Sequence, residues 1–285
     1  MTIKTLGELN FLPTKQNPSG QTSAIISAEE YAISKHTGSY KKIPLSGVQV
    51  IDEVINRIKL HIPDKVAGFG DIYTYRDNFF VPGVLKSQIN AETTIDQIAF
   101  DRVIGVVDIL DTPNQSMRLA MKYQNDDYVE FAIGLNLHVC SNFNIMNSGC
   151  RWKTNKRDGT TIEVLFDKLE EFIKDREKFF GMSLQKMNTL SQRLITQDNV
   201  EEMLGELLIA ARKPDTIMIG TNEVSAMADE VLRNHPNSMW DFLQAGTQVI
   251  KFNSSNGSST LDSLESIGRY VTEKSGLVWE DAQVV

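Results

Sequence analysis

The sequence is short of the residues that usually announce a chemistry. Its 285 residues hold two cysteines, Cys140 and Cys150, and four histidines. So few thiols exclude a disulfide scaffold and fit a reducing compartment. No stretch approaches the roughly 18 apolar residues that span a bilayer. Met1–Asn10 also lacks the basic-then-apolar layout of a secretory signal. These absences predict a cytoplasmic protein without membrane attachment.

The catalytic and cofactor signatures are missing as well. There is no Gly-x-Ser-x-Gly elbow, and neither cysteine lies in a nucleophile context. Gly68-Phe-Gly70-Asp71 opens like a glycine-rich phosphate loop but lacks the third glycine and the Gly-Lys-Ser/Thr ending. Its glycines suit a turn between a helix and a sheet. His138-x-Cys140 with Cys150 is the nearest approach to a zinc site, yet it supplies one close pair and one distant thiol where four ligands are needed. Packing of small, apolar-behaving cysteines is the stronger reading. Asp108 and Asp111, with Asp126 and Asp127, offer oxygens to a divalent ion, but aspartate is equally at home in turns. His36, His61, His138 and His235 are scattered, and His61 and His235, each close to a proline, read as surface loop residues. We therefore assign no catalytic residue, no cofactor and no metal.

What the sequence does contain is a globular composition, with 41% hydrophobic and 23% charged residues. That argues for one large domain or two small ones, able to bury about 70–75% of the unfolded surface. The net charge of −8 is unevenly spread. Residues 1–157 carry 17 Lys and Arg against 16 Asp and Glu, whereas residues 158–285 carry 12 against 21. The halves thus differ in sign, +1 and −9, which hints at separate jobs.

Hydrophobic period divides the chain into three parts. Residues 1–45, rich in Thr, Ser, Gly, Pro and Lys, read as an N-terminal arm with one short helix over Ala28–Lys35. Residues 46–159 form a sheet domain with a leading helix. Ser46-x-x-Gln49 is a capping box, Val48, Ile51, Val54, Ile55 and Ile58 mark one apolar face, and Pro63 stops the helix. Phe100 to Ile109 is a β-branched run. Met117, Leu119, Met121 and Tyr123 alternate with polar neighbours, as do Val129, Phe131, Ile133 and Leu135. Gln124–Asp127 supplies turn residues between these two runs, so an antiparallel hairpin is expected. His138–Cys140 and Phe143–Ile145 continue the sheet.

From residue 160 to 285 the period is helical. Caps are expected at Thr160-x-x-Glu163 and Asp198-x-x-Glu201. Asn253–Ser259 reads as a flexible loop. The fold class is α+β: a mostly antiparallel sheet half followed by a helical half, expected to pack together as one unit.

The best local feature is Arg151-Trp152-Lys153 with Lys156 and Arg157. Cations that neutralise phosphates around an aromatic ring that stacks bases are what single-strand binding requires. Lys41 and Lys42, beside Tyr40, repeat the composition in the arm. The competing reading is a solvated loop with Trp152 packed on a helix.

Several segments resemble, in order, the phage/plasmid-like family of unknown function found on bacterial mobile elements. These are Tyr40-Lys-Lys-Ile-Pro44, Val50-Ile-Asp-Glu-Val54, Gly68-Phe69, Tyr123–Asp127, Gly134–Asn142 and Trp240–Thr247, together spanning about residues 40–270. Where the family tends to have an Asn-Ser-His/Tyr-Asp turn, Asn125-Asp126-Asp127 lacks the Ser and the His. The resemblance implies a phage or plasmid gene and the host cytoplasm, with Cys140 and Asn142 as a characteristic structural pair; it implies no reaction.

The expected function is a non-enzymatic accessory protein of phage or plasmid DNA metabolism, binding single-stranded nucleic acid through Arg151, Trp152, Lys153, Lys156 and Arg157, with Lys41 and Lys42 in support. One alternative is a module that binds a host or phage protein through the acidic helical half. The other is a divalent-metal hydrolase or nuclease using Asp108 and Asp111. A homo-oligomer is compatible with any of these.

Overall fold

A computed structural model describes residues 3–9, 11, 23–35, 45–63, 71–75, 79–111, 114–124, 128–137, 142–145, 150–154, 160–213, 217–250 and 260–279. His138 and Cys140, the turn at residues 125–127, and the expected loop Asn253–Ser259 lie outside them.

The N-terminal half is a curled antiparallel sheet. Its seven strands are β1 (Ser23–Ile26), β2 (Asp71–Tyr75), β5 (Arg102–Asp111), β6 (Gln115–Gln124), β7 (Tyr128–Leu137), β8 (Asn142–Asn144) and β9 (Arg151–Lys153). They are ordered β1-β2-β5-β6-β7, with β8 and β9 both pairing with β7. Strands β3 (Phe79–Phe80) and β4 (Ala99–Phe100) form a separate pair. The β6–β7 hairpin runs in unbroken register from Gln115↔Leu137 to Gln124↔Tyr128.

Side chains directly opposite one another share a face. The register therefore builds an apolar row of Ile26, Ile72, Gly105, Met121, Phe131 and Trp152. Met117, Leu119 and Tyr123 lie on the same face, all buried. Helices cover it. Phe166 of α3 (Ile162–Lys174) packs on Phe131 at 5.9 Å between ring centroids, and α2 (Gly47–His61) brings Gly47 against Tyr123.

The N-terminal segment is more integral than an arm. Leu6, Leu9, Phe11 and Tyr31 are buried, and β1 adds an edge strand to the sheet. Apolar residues spaced through a polar stretch are enough to hold it down. A short helix, α1 (Ala28–Ile33), stands where expected, capped by Ser27. Ser46 caps α2 by accepting from the Gln49 amide, as its spacing predicts. His61 is not a loop residue: it closes α2, with Nε2 3.2 Å from Glu170 of α3, and Arg57 reaches the same carboxylate at 3.1 Å. His235 caps the end of helix α6 (Thr221–Asn234) in a left-handed conformation, φ 45°.

The C-terminal half continues with α4 (Arg176–Gln192), α5 (Gln197–Ala211), α6 (Thr221–Asn234), α7 (Met239–Ile250) and α8 (Thr260–Lys274). Two caps differ from expectation: Thr161 opens α3, and Thr196 with Asn199 opens α5. No helix of the described residues is long and apolar enough to cross a membrane.

Candidate nucleic-acid interface

The three described residues of the basic-aromatic segment, Arg151, Trp152 and Lys153, form β9 and are sent in different directions by strand alternation. Trp152 ends the apolar row and lies edge-on to Phe172 of α3, 6.0 Å between centroids. Its half-buried indole belongs to the packing between sheet and helices, so the ring that was to stack bases does not stand free in solvent. Arg151 and Lys153 point to the opposite face. Lys156, Arg157, Lys41 and Lys42 lie outside the described residues.

That opposite face is mixed, its polar side chains standing among the buried apolar Ile104, Val106, Ala120 and Ala132. One row across it reads Ile25, Tyr73, Ile104, Lys122, Glu130, Lys153, and its neighbour reads Arg102, Gln124, Tyr128. Four cations thus gather at the β9 end: Arg102, Lys122, Arg151 and Lys153. Lys153 is exposed, with Nζ 3.6 Å from the Tyr128 ring centroid. On the same ring, 5.1 Å away, sits Lys122, whose side chain is almost wholly buried. Burial pushes the Lys122 ammonium down to about 8, against the pull of Glu130 and Asp262, and Arg102 and Lys153 add repulsion. A cation shut away from water loses hydration that nearby carboxylates only partly replace.

Arg151 is held on every side. Its Nε donates to Glu130, Nη2 to Asp262 and Nη1 to Glu265 at 2.5 Å, the last two on α8. Burial works against the charge, but these carboxylates outweigh it and hold the guanidinium well above its usual range. Removing Arg151 from water without such partners would be prohibitive. Glu130 is fully buried, its Oε2 has no hydrogen-bond partner, and Lys122 Nζ stands 3.9 Å from it.

A second polar group occupies the far end of the same face. Arg118 grips Asp108 with two bonds, 2.9 and 3.0 Å, and Ser116 donates to the same carboxylate at 2.7 Å. Asn136 donates to Ser116 at 3.1 Å. Asp108 is thus occupied by a guanidinium rather than set out for a divalent ion, and among the described residues no group of three or more metal-ligating side chains gathers.

The strand-borne cations Arg102, Arg118 and Lys122 escaped the sequence reading, although the alternation that marks Met117, Leu119, Met121 and Tyr123 as one face assigns Arg118 and Lys122 to the other. Trp240–Thr247, one of the resembling segments, serves packing. On α7, Gln244 and Thr247 donate to Asn144 of β8 at 3.1 and 3.3 Å, and a side chain at Gly246 would crowd Ile267 and Met227. Cys150 is buried and not in a disulfide. No protein-family model matches the chain, and neither a curated protein nor a solved structure matches it.

Proposed function

We propose that this protein binds single-stranded nucleic acid through its sugar-phosphate backbone at the β9 end of the mixed face. The observation that carries the reading is the cluster of Arg102, Lys122 and Lys153, close enough that the first and last act on the charge of the second. Lys153 is its exposed member, and Lys156, Arg157, Lys41 and Lys42 extend the proposed contact set. Base stacking has no part in it, because Trp152 is committed to Phe172. Non-enzymatic service in phage or plasmid DNA metabolism, in a host cytoplasm, rests on the segment resemblance alone.

Binding to a labelled oligonucleotide should weaken linearly on a log–log plot against salt, by about 0.7 per phosphate neutralised. Lys153→Ala should lower that slope by about 0.7, whereas Trp152→Phe should leave affinity unchanged. Absence of salt-dependent binding at low ionic strength refutes the proposal.

A protein partner is the second reading, and one feature favours it. The turn Val81–Val84, closed by a 3.0 Å hydrogen bond and with Gly83 at φ 76°, presents an apolar tip. Phe80, Val84 and Leu85 are 39%, 40% and 69% exposed there. A nuclease-resistant partner recovered from lysate by the wild type and lost with Leu85→Asp would support it.

A further inference from the structure

We infer that Asp262 and Glu265 of α8 are a built-in competitor for the polyanion, holding Arg151 in place of phosphate and thereby setting the affinity of the β9 end. This rests on the nucleic-acid reading above. Arg151 presents its guanidinium fork on the same face as Lys153, and that fork is the geometry that takes phosphate oxygens as readily as carboxylates. Two of its three nitrogens donate to α8 and the third to Glu130.

The clamp sets three carboxylates on one guanidinium. Four cations, Arg102, Lys122, Arg151 and Lys153, face three carboxylates, a surplus of one positive charge. The helix carboxylates are also the accessible ones: Asp262 and Glu265 are 31% and 28% exposed, against 1% for Glu130. A phosphate can approach where they stand. The helix itself stays put, seated by fully buried Leu261, Leu264, Ile267 and Val271. The competition is between side chains and ligand, with no movement of α8.

The test compares the full chain with Asp262→Asn/Glu265→Gln, and with Asp198→Asn/Glu201→Gln as a control that removes the same charge from an exposed stretch of α5. One newly available phosphate contact corresponds to about fivefold tighter binding in 0.1 M salt and a salt slope steeper by about 0.7. Those changes are expected in the α8 variant and not in the control. Wild-type binding with no gain in the α8 variant overturns the inference and leaves the proposed function standing. An equal gain in the control overturns it too, as a general charge effect. No binding by any of the three proteins overturns both. If the α8 double variant does not fold, Glu265→Gln alone is read against the same criteria.

Discussion

Lys122 makes stability rise with pH in a range where most proteins are flat. Its ammonium lies in the sheet, almost fully buried, and is pushed down to about 8 from an ordinary 10.5, mainly by loss of water. Between those two values the unfolded chain binds a proton that the folded chain does not. Unfolding then takes up a proton, so raising the pH favours the fold, by roughly 1.4 kcal/mol per pH unit. Below about pH 8 both states are protonated and the full cost, about 3 kcal/mol, is present. From about pH 7.5 to 9.5 the expected gain is about 2 kcal/mol. Tyr270 limits the window from above. Burial and its hydrogen bond to Glu206 raise its phenol far above the usual range. Above a pH of about 10 the unfolded chain loses a phenolic proton that the folded chain keeps, and stability falls again. Urea unfolding followed by far-UV circular dichroism should therefore show midpoints climbing by about 0.6–1 M across that window, for slopes of about 2–3 kcal/mol/M. Lys122→Met should remove the climb. A flat or falling midpoint in the wild type, or an unchanged climb in the variant, refutes the argument.

Three further outcomes follow from individual contacts in the structure. Arg151→Ala leaves the buried Glu130 carboxylate without its guanidinium and should cost about 3–5 kcal/mol, measured by the same unfolding assay; a loss under about 1 kcal/mol would mean that water already reaches Glu130. Gly134→Ala should destabilise by about 1–3 kcal/mol, because an added methyl would sit 2.6 Å from the Asn144 carbonyl oxygen and 3.0 Å from the Phe143 ring, and thermal melting reads the loss. Thr196→Ala should cost about 1 kcal/mol through the lost α5 cap, whereas Asp198→Ala should be near neutral in the same melt, reversing the order that the Asp198-x-x-Glu201 spacing predicts.

The elements that the sequence made legible are those whose period runs long enough to name a face. Strand β6 gives its alternation over ten residues, and α2 combines a cap with an apolar stripe. Helix α4 hides because Gly181 and the buried Ser183 interrupt its apolar positions, and it follows α3 with only Asp175 between them. The caps of α3 and α5 slipped by one and two residues because adjacent side chains satisfy the same spacing rule. At α5 the reciprocal Thr196–Asn199 pair decides between them.

Trp152 marks the deeper limit. A strand of three residues is too short to show a period, so its neighbourhood with two cations reads as a loop composition. What places the indole is its pairing with Phe131, a contact across the chain that no local spacing encodes. Arg151 makes the same point through charge. Its partners Asp262 and Glu265 lie 111 and 114 positions away. The opposite signs of the two halves were visible as counts, but counts cannot tell a surface field from an internal clamp. A surface field is screened over about 10 Å in 0.1 M salt, whereas buried pairs are screened much less. Stability loss in Arg151→Ala that persists at high salt therefore reports the buried pairing with Glu130, and salt-sensitive oligonucleotide binding reports the cations left facing out.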